Sequence, residues 1–295
     1  MSDADPRTKL PLVTIVCPVF NEEETVPLFH ERLALAVEEI QKKVRLELLF
    51  VNNRSTDGTL ARIREIQEKD LRVNVITLSR NYGYQASITA GMRHARGEAI
   101  VNIDVDCEDP PEMIPRFIEM WLGGVDVAYG IRDKREEFFL VDRRVRDQVL
   151  STRSTFPFVR GQVGYVGFRR EGIAYKRQRR ISGETHYNLI SAGRFGIGGI
   201  LSSSTLPLRL LAYVGLLGLS VDIALAVLVL VVGESWGLGL VERWSLAMVA
   251  LQLGWMMFAF GGLGIYLARV YKDVIGLPLY VVDDKASFRR EPPHE

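Results

Sequence analysis

The chain has 295 residues, with 37 Lys and Arg against 36 Asp and Glu, and a formal net charge of +1 that excludes the basic bias of a nucleic-acid binder. Its 47% hydrophobic content and mean hydropathy of +0.08 are high for a wholly soluble protein. Cys17 and Cys107 lie far apart without metal-ligand spacing, so neither a disulfide framework nor a zinc site is expected. The polar opening MSDADPRTKL lacks the apolar core of a signal peptide, which places the first half in a reducing cytosol.

From Leu12 to about Gly130, short apolar runs alternate with helical patterns. LVTIVCP, LELLFV, VNVITL, AIVNID and DVAYG read as strands rich in Val, Ile and Leu. Val26, Phe29, Leu33, Val37 and Ile40 recur at helical spacing between the first two strands. Leu60, Ile63 and Ile66 do so in the next connection, behind a Ser-Thr-Asp-Gly turn suited to a helix start. Apolar strands separated by helices predict a mostly parallel α/β sheet covered on both faces. Ligands of such sheets bind beyond the carboxyl ends of the strands, where Asn21-Glu22-Glu23, Asn52-Asn53-Arg54-Ser55 and Asp104-Val105-Asp106 all fall.

Further on, RREGIAYKRQRR (169–180) is densely basic and reads as a face for anionic lipid headgroups. Residues 208–232 and 246–268 are each apolar for long enough to cross a hydrocarbon core of ~30 Å at ~1.5 Å per residue. The loop between them carries Trp236 and Trp244, suited to a membrane interface. Arg209 before the first run, and Arg269 and Lys272 after the second, predict a multi-pass hairpin with both ends cytoplasmic. The competing reading is a pair of buried helices in a soluble domain. Asp222, midway through the first run, is expected at a helix–helix or subunit contact. The domains predicted are 1–205, a cytosolic catalytic unit; 206–270, the two membrane helices; and 271–295, a cytosolic tail.

Asp104, Asp106 and Glu108 alternate along an extended segment and would share one side of it. Hard oxygen ligands so placed suit Mg²⁺ or Mn²⁺, which bind through one or two carboxylates plus substrate phosphates. The bland alternative is an acidic turn capping a helix at Pro110-Pro111.

Pro18-Val19-Phe20-Asn21-Glu22-Glu23, Asn52-Asn53-Arg54-Ser55-Thr56-Asp57-Gly58-Thr59, Arg80-Asn81-Tyr82-Gly83-Tyr84-Gln85 and Asp104 to Pro111 follow successive strands. In order and spacing they resemble the family-two glycosyltransferases with the GT-A fold. The nearest likeness is to the dolichol-phosphate mannose synthase-like branch, which includes bacterial polyprenyl-phosphate glycosyltransferases. Arg180 to Asn188 resembles that branch's Arg-x-x-Gly-x-Ser-Lys-Tyr segment. The resemblance implies a GT-A, Rossmann-like sheet followed by a two-helix transmembrane hairpin. It also implies inverting transfer of a sugar from a nucleotide-sugar, a UDP-sugar by analogy with bacterial relatives, to polyprenyl phosphate at the inner or plasma membrane. A homo-oligomer is expected.

Residue by residue, it implies a donor site of Pro18, Phe20, Asn21, Glu22, Asn52, Ser55, Arg80 and Asp104. Asp104, Asp106 and Glu108 would hold the metal, and Asp104, Asp106, Arg132 and Arg180 would carry the chemistry. No Gln-x-x-Arg-Trp motif of the processive synthases is present, which favours single transfer. A lipid phosphate, with its second pKa about 6, is largely dianionic at pH 7 and needs no general base. Arginine forks would instead position it, with Arg132, Arg143 and Arg180 as candidates.

Three departures stand out. Asn52 and Asn53 occupy positions that are commonly acidic, His186 stands for a lysine, and only Glu136-Glu137-Phe138-Phe139 replace an amphipathic acceptor-side segment after Arg135. The first and last of these favour a second reading, a non-catalytic membrane scaffold that keeps the nucleotide-sugar fold.

Overall fold

The computed structural model describes residues 10–132, 135–152, 157–176, 178, 206–232 and 238–290. The chain divides into two compact units, residues 1–188 with 278–295, and residues 189–277.

The first unit is built on a seven-stranded sheet of order β3-β2-β1-β4-β6-β5-β7. β1 (Leu12–Val19), β2 (Arg45–Asn52), β3 (Val73–Thr77) and β4 (Ala99–Asn102) run parallel, as their buried apolar sequences predict. β5 (Val127–Arg132) and β6 (Arg135–Asp142) form a hairpin, and β6 enters the sheet antiparallel to β4. β7 (Arg170–Ala174) then pairs parallel to β5. The short stretch after Arg135 is therefore a strand, and Phe138 and Leu140 point into the core.

The helical connections are α1 (Thr25–Ala36), α2 (Thr59–Lys69), α3 (Tyr84–His94), α4 (Ile114–Leu122), α5 (Arg143–Ser151) and α6 (Val159–Tyr165). Alternation along each strand divides the core in two. Ile15, Cys17, Leu48, Phe50 and Val101 meet Phe29 and Leu33 of α1, Ile63 of α2 and Phe117 of α4. Val16, Leu49, Val51 and Ile100 meet Ile88 and Met92 of α3, Val145 and Val149 of α5, and Val163 of α6. Phe29, Phe50 and Phe117 are fully buried, each contributing roughly 2–3 kcal/mol. α3 lies so close to β1 that a Cβ on Gly91 would stand 2.2 Å from Val16 Cγ1, so only glycine fits.

At the amino ends of the strands Glu47 is buried but fully partnered. It accepts from Thr14 Oγ1 at 2.6 Å, from Asn74 Nδ2 at 3.1 Å and from Arg96 Nε at 2.8 Å, so one carboxylate ties β1, β2 and β3 to the turn before β4.

The second unit holds α7 (Leu206–Val232) and α8 (Leu238–Ile275). α8 starts earlier than the apolar run of 246–268 suggests and takes Trp244 into the helix; no proline interrupts it, so polar Glu242 and Arg243 extend the helix. Trp236 lies outside the described residues. Leu251–Ile275 is long and apolar enough to cross a membrane, and Tyr213–Ala224 is a shorter apolar stretch of α7. Gly218 of α7 faces the indole of Trp255 on α8. Asp222 Oδ1 is buried within this unit without a hydrogen-bond partner.

Replacing Glu47 with Ala should strand Arg96, Thr14 and Asn74 together and lower stability by about 3 kcal/mol, read as a fall in the urea midpoint. An unchanged midpoint would show that the carboxylate ties nothing.

Candidate active site at the carboxyl edge of the sheet

β1, β2 and β4 each end in a loop with one strained residue. Among the described residues, the non-glycine residues with positive φ are Asn21 at 55°, Arg54 at 62° and Cys107 at 56°. They follow β1, β2 and β4 at one edge of the sheet, and such strain concentrates where a fold builds a site.

The first two loops are sewn together. Asn21 N–H donates to Ser55 Oγ at 3.0 Å, and Asn21 Oδ1 accepts from Thr56 N–H at 2.8 Å. Glu22 N–H donates to Thr59 Oγ1 at 2.8 Å, and Glu23 accepts from Gly58 N–H at 3.0 Å. Pro18 is buried in β1, while Phe20, 36% exposed, stands at the rim. Arg80 lies 3.9 Å over the ring of Tyr82 at the end of β3.

Each asparagine of the pair uses both its donor and its acceptor. Asn52 Oδ1 accepts from Ser55 N–H at 3.0 Å while Nδ2 reaches Thr77 Oγ1 at 3.4 Å. Asn53 Oδ1 accepts from Tyr82 N–H at 2.9 Å while Nδ2 donates to Asn81 Oδ1 at 2.9 Å. A carboxylate only accepts, so an aspartate at 53 would face the carbonyl of Asn81.

The acidic group differs from the expected row. Cys107 turns the chain back, with Glu108 N–H donating to Asp106 Oδ1 at 3.0 Å, so Glu108 does not extend a straight alternation. Asp109, buried and bonded to the hydroxyl of Tyr175 just past β7, adds its charge to the group around Asp104. Asp104 accepts from Tyr84 Oη at 2.8 Å. Burial pushes its carboxyl up to about 7, helped by the charges of Asp106 and Asp109; the Tyr84 hydrogen bond and Arg160 oppose the rise. Burial drives the Tyr84 hydroxyl well above its ordinary range, with Asp104 adding to it. Cys107 is buried and its thiol is pushed up to about 11, first by burial, so it stays a packed thiol.

Among the described residues no three acidic, His or Cys side chains stand ready as a closed metal cage. Asp104 and Asp106 are nevertheless two carboxylates close enough to repel, and that donor set fits one hard cation completed by phosphate oxygens.

Two arginine assignments separate. Arg132 closes β5 at the same edge as Asp104, since β5 runs parallel to β4 through β6. Arg143 does not belong there. β6 is antiparallel, with Asp142 opposite Ala99 at the start of β4, so Arg143 emerges at the far edge. There its Nε donates to Gly97 O at 3.1 Å and its Nη2 to Arg96 O at 2.5 Å, holding the turn before β4. Arg160 is the cation that sequence reading missed. Gln85 Oε1 accepts from Val159 N–H at 3.1 Å, which seats α6 beside Tyr84 and sets Arg160 where its charge acts on Asp104. No local motif marks it, because its place depends on the packing of α3 and α6. Arg180 and His186 lie outside the described residues.

The sheet and its polar carboxyl edge fit a GT-A-like α/β glycosyltransferase, and the comparisons agree in class. Residues 14–190 match the family described as Glycosyl transferase family 2, and the chain belongs to it. Over 302 positions it is 35% identical to the Uncharacterized glycosyltransferase YkcC of Bacillus subtilis (strain 168), covering 91% of this chain and 92% of that one. Over 301 positions it is 30% identical to the Prophage bactoprenol glucosyl transferase homolog of Escherichia coli (strain K12), covering 92% and 98%. Among solved structures it is similar to the mannosyltransferase PcManGT from Pyrobaculum calidifontis in complex with GDP-Man and Mn²⁺, at 16% identity and a TM-score of 0.49, covering 92% and 90%.

Two outcomes check the site. Asp104 holds its proton to higher pH folded than unfolded, so it stabilises the fold fully below about pH 4 and that contribution is lost as pH rises to about 7. Asp104→Asn should therefore gain stability over the native protein at about pH 8 in EDTA and lose that advantage at about pH 4; a constant difference between the two would contradict the shifted carboxyl. Asn53→Asp should lower the melting temperature by the equivalent of about 1–2 kcal/mol.

Proposed function

We propose that the protein is a membrane-bound transferase that moves a sugar, with inversion, from a nucleotide-sugar to the phosphate of a polyprenyl lipid. The observation that carries this reading is the convergence of Asp104, Asp106 and Asp109 with the sewn loops of Asn21 and Ser55 at one sheet edge. The relatives named for bactoprenol glucosyl transfer support the lipid acceptor and a hexose donor. A UDP-sugar is our choice of donor. The apolar α8 supports membrane attachment, and with α7 we read a two-helix hairpin with both ends cytoplasmic. A homo-oligomer is our reading of its assembly.

In this reading Pro18, Phe20, Asn21, Glu22, Asn52, Ser55 and Arg80 surround the nucleoside. Asp104 and Asp106, with Glu108, would hold Mg²⁺ or Mn²⁺, which when bound would neutralise charge on the leaving diphosphate. The lipid phosphate oxygen attacks the anomeric carbon as the bond to the diphosphate breaks, and the nucleoside diphosphate leaves with the electron pair. The attacking phosphate is already dianionic, so no side chain has to take a proton. Arg132 and Arg180 orient it, and Arg160 offers a third positive charge beside Asp104.

The tight β5–β6 hairpin favours one alternative, a scaffold that binds nucleotide without transferring sugar, because it leaves little chain to cover an acceptor.

Full-length protein in detergent with Mg²⁺, radiolabelled UDP-sugars and undecaprenyl phosphate should yield labelled lipid. Asp106→Asn should reduce it at least 100-fold, and Arg132→Lys and Arg180→Lys at least 10-fold each. Nucleotide binding without labelled lipid would identify the scaffold. Full turnover in both lysine variants would refute the phosphate clamp.

A further inference from the structure

The chain beyond α8 returns to the first unit. After Gly276, at φ 67°, residues 278–290 run beside β3, the outer strand of the sheet. Val75 and Phe288 exchange backbone hydrogen bonds of 2.9 and 2.8 Å. Asp283 N–H donates to Thr77 O, and Ser79 N–H to Val281 O, each at 2.8 Å. The strap thus pairs backbone groups that an edge strand would otherwise leave open.

Two contacts reach past the edge into the loop after β2. Thr77 Oγ1 donates to Ala286 O at 3.1 Å and lies 3.4 Å from Asn52 Nδ2. Arg54 Nη1 donates to Asp283 Oδ2 at 2.9 Å, across 229 residues of sequence. Asp283 is itself held in place: its Oδ1 accepts from Lys285 N–H at 3.2 Å and Ala286 N–H at 3.3 Å, which leaves Oδ2 aimed at the arginine. Arg54 sits at φ 62°, a backbone state at home for glycine and uncommon for a long side chain. The strain has one visible return, the ion pair with the strap, and the loop that bears it also presents Asn52 and Ser55.

We propose that Arg54 and Asp283 are a positioning pair for the donor nucleotide: the strap's carboxylate holds the strained loop after β2 in the shape that receives a nucleoside diphosphate. This rests on the nucleotide-sugar reading above. The pair lies away from Asp104, so it acts on donor affinity and not on the chemical step.

The test is calorimetric binding of UDP and of GDP, each with Mg²⁺, to the full-length protein in detergent, alongside donor KM and kcat. Arg54→Gln removes the charge and leaves the left-handed backbone strain for the loop to bear alone. Asp283→Asn keeps the turn acceptor and removes the charge. Each should weaken nucleotide binding about fivefold, the loss expected of one exposed ion pair, and raise donor KM to match with kcat unchanged. The double variant should bind no worse than either single one. Wild-type affinity in both single variants, or additive losses in the double, would overturn the pair alone. A native protein that binds neither nucleotide would overturn the nucleotide-sugar reading and the pair with it.

Discussion

A carboxyl buried among other acids at one sheet edge is the constraint on which this structure turns. Burial pushes the Asp104 carboxyl to about 7, the charges of Asp106 and Asp109 add to the rise, and Tyr84 and Arg160 offset only part of it. A fold that keeps such a group needs rigid walls around it. The sheet supplies them through two apolar layers and through Glu47, whose hydrogen bonds clamp the opposite ends of the same strands.

Rigidity at the site comes from loops that hold each other. The turn after β1 bonds to the turn after β2, and that turn bonds to the one after β3 through Asn53, Asn81 and Tyr82. Each link matches a donor to an acceptor, which explains the amide at 53, where an acid would leave its oxygen facing Asn81 Oδ1. Two left-handed residues, Asn21 and Arg54, carry the strain of these turns, and the strap behind α8 ties Arg54 to residues 278–290.

Much of the parallel half was legible. The strands β1 to β5 and the helices α1 and α2 follow from apolar runs and helical spacing, because burial on both faces of a parallel sheet writes itself into consecutive residues. The placing of polar clusters at strand ends was legible for the same reason. The antiparallel β6 was not, since Glu136 to Phe139 look like the remnant of a lost segment and pair only with strands distant in sequence. That strand's direction is what carries Arg143 to the opposite edge, where it caps carbonyls of the turn before β4.

By itself the sequence determined the class of fold, the acidic stretch, the apolar helix and the family, because local periodicity and short motifs record what each segment buries or exposes. Tertiary structure alone decided that Asp109 acts on Asp104: a left-handed Cys107 breaks the extended row, and the fold brings the charge of Asp109 to bear on it. It also decided which cation faces them, Arg160 by the docking of α6 on α3, and which carboxylate answers Arg54. These are contacts between residues far apart in the chain, and their geometry exists only after the layers have packed.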